Sequence, residues 1–422
     1  MRIVVLGLGR VGVVTAAGLL HYGHTVVGID SDPSTSERLA RGLLSFREPN
    51  LAELIASGHS DARLLVVANV CSEANADVVI VCVGTPGLAD GSLDLSDLKI
   101  AARNLGEAVR LRLPGLPPVI LVFRSTMLPG TMRDVVLPAI AEAAGEPAGV
   151  RYEVVYNPEF IREGSAVADY FAPSRIVIGE HRPGTCGPLV ELYNGIDAPV
   201  FTTSLEVAEF VKFADNSFHA LKVAFANEVG RFAVRSDISP AAIFDIFEAD
   251  TRLNLSASYL RPGGAFGGPC LPKDVRALGA RMRDLGIDAP VIGRILESNS
   301  LHTDFLVEEI ERRAPPGSRI LLVGLSFKAN TDDLRESPLV KLAECLVDRG
   351  HDLAICDPDL TYDTLSGIDG RVVAQISSRL LAILLRQPPA STGWDLIVMG
   401  KKRSELERWF GPGADIFSID RL

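Results

Sequence analysis

The residues most suited to chemistry lie in one short stretch, RPGGAFGGPCLPKD, positions 261–274. A cysteine, a lysine and an aspartate (Cys270, Lys273, Asp274) follow directly behind Gly263, Gly264, Gly267 and Gly268. Backbone without side chains lets a ligand come close. Pro272 suits the first residue of a helix. Cys270 would then stand just before the positive end of the helix dipole, a position that favours the nucleophilic thiolate. Asp274 is one helical turn further on and shares its face. A poised thiol with a carboxylate beside it is the equipment of covalent catalysis. The plainer alternative is a glycine-rich loop followed by a packing cysteine, since free cysteine is often core. These residues alone leave both open.

Other parts of the chain add polar groups at meaningful spacings. From Leu205 to about Val234 the pattern predicts one long helix, with Lys212, Asn216 and His219 at i, i+4 and i+7 on one face and Asn227 continuing the stripe. Asparagine disfavours a helix interior, so a polar stripe on a largely apolar helix asks for a partner. At the amino terminus, IVVLGLGRVGVVTAAGLLHYGHTVVGID (3–30) predicts strand, tight turn, helix and strand. Gly7, Gly9 and Gly12 form G-x-G-x-x-G at the turn, and Asp30 ends the second strand. The three glycines serve the turn, the approach of a pyrophosphate and close helix–strand packing, and the helix start binds the phosphates. An acid at position 30 accepts ribose hydroxyls and repels a 2′-phosphate, so NAD is favoured over NADP. Apolar runs at 78–83, 119–122, 154–156 and 176–178 predict further strands. Ligands of parallel α/β sheets lie beyond the carboxyl ends of the strands, which points Thr85, Thr126 and Glu159 toward cofactor or substrate. Taken singly, each could equally be an ordinary turn residue.

These groups must be positioned by a chain of 422 residues, long enough for two or three domains. A net charge of −11 and a pI near 5.2 argue against nucleic acid or an anionic membrane as partner. The six cysteines include no CxxC pair and no Cys/His cluster at zinc spacing, so no metal is expected. Cys71, Cys82, Cys345 and Cys356 sit in or beside apolar segments and are expected to pack. Thiols of this kind, a first strand that begins at residue 2 and the lack of an apolar run of membrane-spanning length predict a cytoplasmic protein. Pro315, Pro316 and Gly317 mark a linker. Beyond it SRILLVGLSF (318–327) echoes the first strand and turn, and DRGHDLAICDPD (348–359) echoes the second strand. Gly324, however, lacks the second and third motif glycines, and an insertion brings Lys328 and Arg335. This half therefore fits another phosphate-bearing ligand better than a second NAD. The expected fold is α/β: two Rossmann-like doubly wound domains, 1–203 and 301–422, bracketing a helical middle domain, 204–300, built on a long central helix.

A single alcohol oxidation needs a base and a hydride acceptor but no cysteine. Oxidation through an aldehyde to an acid does use one. The thiolate adds to the carbonyl, a second hydride leaves, and water hydrolyses the thioester. Lys212 and Asn216 could stabilise the oxyanions, and Asp274 or Glu159 could act as base through water. A one-step hydroxyacid or polyol dehydrogenase with a structural Cys270, and a non-catalytic sugar-nucleotide sensor, are the competing readings.

Taken in order, the G-x-G-x-x-G turn with its acid, VCVGTP, RSTMLPGT, NPEFIREGSA, KFADNSFHA, GGPCLPKD and GLSFKANTDDLRESP resemble the UDP-glucose/GDP-mannose dehydrogenases from about residue 2 to at least 359. The resemblance implies two NAD-dependent oxidations of a nucleotide-sugar 6-hydroxyl to the uronate. It implies Cys270 as nucleophile, Lys212 and Asn216 as oxyanion stabilisers, Asp274 as water-linked base, and Glu159 and Thr126 assisting. Gly7, Gly9, Arg10, Val11, Gly12, Asp30, Thr85, Thr126, Lys273 and Arg335 would meet NAD, and Lys328 would lie near the substrate. HALKVAFANE and NLSASYLRPGGAFGG look like the branch acting on GDP-mannose, in which His219, Asn227, Tyr259, Arg261, Phe266 and Gly267 would contact the substrate alongside Glu159, Lys212 and Asn216. Lys222 stands where UDP-glucose enzymes more often carry arginine; Ser258, Pro269 and Thr35 depart from the family pattern, leaving UDP-glucose or a UDP-N-acetylhexosamine as the alternative. The family also implies a homodimer built on the long helix with a shared active site.

Overall fold

Runs of valine, isoleucine and leucine bounded by glycine or polar turns form the strands of two separate sheets, each belonging to one of two compact units, Met1–Ala214 and Asp215–Leu422. The computed structural model describes residues 1–67, 69–235, 237–251, 262–286, 289–315, 317–360, 376–385, 392–401, 410 and 414–421.

The first unit runs β1 (Arg2–Leu6), α1 (Arg10–His21), β2 (Thr25–Ile29), α2 (Pro33–Ala40), α3 (Leu51–Ser60), β3 (Leu64–Val67), β4 (Val78–Val81), α4 (Ser96–Leu111), β5 (Val119–Phe123), α5 (Leu137–Ala144), β6 (Tyr152–Tyr156), α6 (Ala166–Phe171), β7 (Ile176–Glu180), α7 (Gly187–Leu192) and β8 (Val200–Ser204). Its sheet has the order β3-β2-β1-β4-β5-β6-β7-β8. Alternate residues of each strand feed opposite faces: Ile3 and Val5 join one core with α1, α3, α6 and α7, while Val4 joins a second with α4 and α5. This is the doubly wound arrangement, and the strand order reverses between β1 and β4, where such sheets bind ligands.

One expectation needs correcting. The segment 176–178 reads as one more parallel strand, but β7 pairs antiparallel with β6 (Val155↔Glu180, Tyr156↔Gly179). Its carboxyl end, Gly179–Glu180, therefore points away from the edge that carries Thr85, Thr126 and Glu159. The connection, residues 157–175 with α6 in it, brings the chain back to the edge it left.

α8 (Leu205–Arg235, 31 residues) begins in the first unit and continues beyond Ala214; at 1.5 Å per residue it is about 46 Å long. The second unit continues with α9 (Pro240–Ala249), α10 (Leu271–Asp284), α11 (Pro290–Arg313), β9 (Arg319–Val323), α12 (Pro338–Asp348), β10 (Asp352–Cys356), a short helix Ser378–Ile383, β11 (Leu396–Met399) and β12 (Ile416–Ser418). Its parallel sheet, β10-β9-β11-β12, repeats the order β2-β1-β4-β5 of the first. The internal echo in the sequence is thus an echo of topology. Among the described residues, no helix is long and apolar enough to cross a membrane and no group of three or more His, Cys, Asp or Glu could hold a metal ion.

Candidate active site

The turn after β1 is shaped by its glycines. Gly7 has φ +93°, and its N–H donates to the Ile29 carbonyl at 2.8 Å. A Cβ on Gly12 would lie 1.8 Å from the Gly7 oxygen, so only glycine lets α1 start there. Gly9 precedes the first turn of α1, and a Cβ on it would meet nothing within 4 Å. Two tight glycines and one facing open space at a helix start are what a dinucleotide pyrophosphate requires. The Asp30 carboxylate accepts from the N–H of Leu8 at 2.6 Å and of Asp32 at 2.9 Å. It therefore braces the turn, with acceptor capacity left for a ribose hydroxyl. Arg10 lies over the Phe46 ring, 4.6 Å from its centroid, and pairs with Glu163 at 3.3 Å. Thr85, buried after β4, donates its hydroxyl to the Thr126 carbonyl after β5 at 2.6 Å, tying the two strand-end loops together.

Beyond β6, Glu159 is buried and holds the buried Lys212 ammonium at 2.9 Å; its other oxygen accepts from the Ile161 N–H at 2.8 Å. Removing one partner of such a pair costs about 3–5 kcal/mol, because the other charge stays buried. The loop is anchored by groups that no motif singled out. Buried Arg124 donates to Asn157 Oδ1 at 2.8 Å and to the Tyr193 hydroxyl at 2.7 Å. Burial works against its charge, but Tyr193, Cys82, Tyr170 and Glu159 more than offset this and raise its pKa. Glu209, one turn before Lys212 and fully buried, accepts from the N–H groups of Gly130 and Met132, both at 2.8 Å. The opening of α8 is thereby pinned to the loops after β5 and β6. An acidic residue inside an apolar helix face was the available signal for Glu209.

In the second unit, Cys270 is the N-cap of α10, exposed and outside any disulfide. Its carbonyl accepts from the Asp274 N–H at 2.9 Å, the first bond of the helix. Pro272 is accordingly the second helical residue, with Leu271 before it. The Asp274 side chain is almost completely buried. One oxygen accepts from the Asn216 amide, and the other lies 3.0 Å from the Lys273 ammonium. Asn216 and Asp274 thus form a unit, while Lys273, expected to meet NAD, is turned to the same carboxylate. His219 stands 3.9 Å from Asp215 on α8.

In the glycine-rich loop, Gly267 and Gly268 are packed closely against neighbouring protein. A Cβ on Gly267 would lie 2.3 Å from the Glu336 carbonyl oxygen, and one on Gly268 (φ +83°) 2.7 Å from the Phe327 ring. The Gly268 N–H donates to that same Glu336 carbonyl at 3.2 Å. Glu336 itself sits at φ +48°, with its carboxylate gripped by Arg276 of α10 at 2.8 and 2.5 Å. Asn227 accepts from the Gly263 N–H at 3.1 Å and donates to the Gly264 carbonyl at 3.3 Å, so its amide shapes the loop. The Phe266 ring is buried with Ala220, Ala224, Val275 and Ile295 in a core cluster. Sequence reasoning missed two residues that complete the frame. Asn299 of α11 makes paired 2.8 Å bonds to the Phe266 N–H and carbonyl. His302, wholly buried, bonds the Gly263 carbonyl at 2.5 Å. Burial lowers the His302 pKa to about 4 against the help of that bond, with Arg231 lowering it further, so the ring is neutral at ordinary pH. Lys328 is half-buried on the loop after β9, and exposed Arg335 pairs with Asp333. Tyr259 and Arg261 lie outside the described residues.

The glycine turn with its terminal acid is that of an NAD-dependent oxidoreductase. Comparison with known proteins specifies which kind. The UDP-glucose/GDP-mannose dehydrogenase family's NAD binding domain matches residues 1–197, its central domain 206–301 and its UDP binding domain 321–399. The GDP-mannose 6-dehydrogenase of Pseudomonas aeruginosa is 39% identical over 405 residues, covering 95% of this chain and 91% of that protein. Among solved structures, a UDP-glucose dehydrogenase from Pyrobaculum islandicum superposes with a TM-score of 0.88 at 34% identity, covering 99% of this chain and 94% of that one. A ternary complex of GDP-mannose dehydrogenase from P. aeruginosa gives 0.59 at 37%, covering 99% and 96%. The chain belongs to the UDP-glucose/GDP-mannose dehydrogenase family.

Proposed function

We propose that the protein oxidises GDP-mannose at C6 to GDP-mannuronate in two steps, through a thioester on Cys270. The observation that carries the reading is the thiol itself: Cys270 is exposed at the start of α10, and the helix places Asp274, braced by Asn216 and Lys273, one turn behind it. Bound NAD accepts a hydride in each step. In the first, the C6 hydroxyl loses its proton toward water held by Asp274 or Glu159, leaving an aldehyde. The Cys270 thiolate then adds to that carbonyl, and Lys212 and Asn216, one turn apart on α8, stabilise the oxyanion. After the second oxidation the resulting thioester is cleaved by water, with the same carboxylates taking the proton. Thr126 assists at the reacting carbon.

In this reading Gly7, Gly9, Arg10, Val11, Gly12, Asp30, Thr85 and Lys273 serve the cofactor. Arg335 joins them, and His219, Asn227, Tyr259, Arg261, Phe266, Gly267 and Lys328 serve the sugar nucleotide, Asn227 also shaping the loop before Cys270. Three functional segments, 1–203, 204–300 and 301–422, divide these tasks. The chain would act as a homodimer along α8, whose Val207, Phe210, Phe218 and Phe225 are exposed on one side. Its compartment must keep the thiol reduced, as the cytoplasm does. The choice of GDP-mannose rests on the 39% identical relative; the closer superposition of the UDP-glucose enzyme favours UDP-glucose as second reading. NADH formation from the two sugar nucleotides in parallel separates them. About two NADH per GDP-mannose, and none from UDP-glucose, is expected of a thioester route; one per sugar would sink it. Cys270→Ser should bind NAD normally and lose uronate formation by about a thousandfold or more.

A further inference from the structure

The second unit repeats the first turn bond for bond and then fills it. The Gly324 N–H donates to the Cys356 carbonyl at 2.7 Å, as Gly7 does to Ile29. Asp357 takes the place of Asp30. One of its oxygens accepts from the N–H groups of Leu325 and Ser326 at 2.6 and 2.7 Å, and the other from Asp359 at 2.9 Å. Asp359 in turn accepts from the Asn330 N–H at 3.0 Å. The two carboxylates therefore hold residues 325–330, the segment that contains Lys328. Both are buried, and like charges so placed repel each other unless a cation joins them.

That cation is Lys401, at the end of β11. Its buried ammonium lies 3.2 Å from Asp357 and 3.7 Å from Asp359 and donates to the Ser326 hydroxyl. Its stem crosses the glycine turn, 3.3 Å from where a Cβ on Gly324 would be. Where the second turn has Ser326, bonded to that ammonium, the first has Gly9, at which an added Cβ would meet nothing within 4 Å.

We propose that Lys401 is a positioning residue for sugar-nucleotide binding: by joining Asp357 and Asp359 it fixes the 325–330 loop that presents Lys328, and its side chain closes the second turn to a dinucleotide. The inference rests on the reading that Lys328 serves the sugar nucleotide. Nothing in it requires Lys401 to touch the ligand.

Lys401→Met keeps the stem and removes the charge. Calorimetric titration of the full-length protein with GDP-mannose, UDP-glucose and NAD, together with steady-state kinetics, provides the test. For the sugar nucleotide that the unaltered protein binds, Kd and KM should rise by about tenfold or more, while both constants for NAD move by less than roughly twofold. Lys401→Arg should recover most of the loss. Unchanged sugar-nucleotide constants in folded Lys401→Met would overturn the proposal. So would an equal rise for NAD, the mark of general loosening. If Lys401→Met does not fold, Lys401→Met/Asp359→Asn removes the excess negative charge; it should fold and show the same selective loss, and its failure on either count would overturn the proposal. Binding separates this inference from the catalytic reading. An unaltered protein that binds a sugar nucleotide without oxidising it sinks the latter alone, and one that binds neither sinks both.

Discussion

The turns after β1 and β9 begin alike and end differently. In each, a glycine N–H reaches the carbonyl of the neighbouring strand, and an aspartate at the end of that strand collects backbone N–H groups from the turn. The first turn goes directly into α1, with Gly9 facing open space. The second has no glycine in the equivalent place, delays its helix until Pro338 and sets Lys401 across the gap. The two turns thus differ at their third residue, where Gly9 faces open space and Ser326 is bonded to Lys401. The same contrast governs buried carboxylates. Asp357 is driven upward by burial, yet Lys401 and the N–H groups of Ser326, Leu325 and Asp359 hold its pKa below the ordinary value. At Glu209 burial outweighs the two N–H groups it accepts and the smaller help of Arg133, and pushes it up to about 7.

The largest effect that could break this comparison is at Gly12. Gly12→Val drives a side chain into the Gly7 carbonyl and should weaken NAD binding by about a hundredfold or more. NAD affinity within a few-fold of normal in a folded variant would remove the first turn from cofactor binding. Next come two substitutions with opposite expectations. Gly9→Ala meets no protein atom, so melting should be unchanged while KM for NAD rises by about tenfold. Gly324→Ala forces a Cβ onto φ +101°, which should cost about 1–2 kcal/mol of stability and leave KM for NAD alone.

The smallest effect concerns Glu209. A carboxyl whose folded pKa is about 7, against 4.5 unfolded, binds more protons in the native state between those values. Stability should therefore be greatest below about pH 4.5, fall as pH rises toward 7 and level off beyond, by at most roughly 3 kcal/mol. Thermal melting of Glu209→Gln should lack that slope. A parallel pH dependence in both proteins would show that Glu209 is not its source.

Legibility followed the range of the interactions. The first turn could be read because its requirements are local: three glycines and an acid within about two dozen residues account for it. The long helix, the repeat and the cysteine at a helix start were local as well. The loop before Cys270 was less legible, because its protein partners are remote. Gly267 and Gly268 make room for Glu336 and Phe327, about sixty or more residues away, and spacing cannot distinguish a neighbouring backbone from a ligand. Asn227, placed on a polar stripe, has protein partners in Gly263 and Gly264 that spacing could not reveal. The direction of β7 is set by its pairing with β6, which an apolar run does not reveal. Lys401 carried no signal, because a lysine after an apolar strand is an ordinary surface residue until Asp357 and Asp359 are found beside it.

The claim that joins these observations is that only the first of the two related turns takes a dinucleotide. Calorimetric titration of the intact protein with NAD tests it directly. The account predicts about one equivalent per chain, abolished in Gly12→Val and retained in Gly324→Ala. A second equivalent, or binding that survives in folded Gly12→Val, would contradict it.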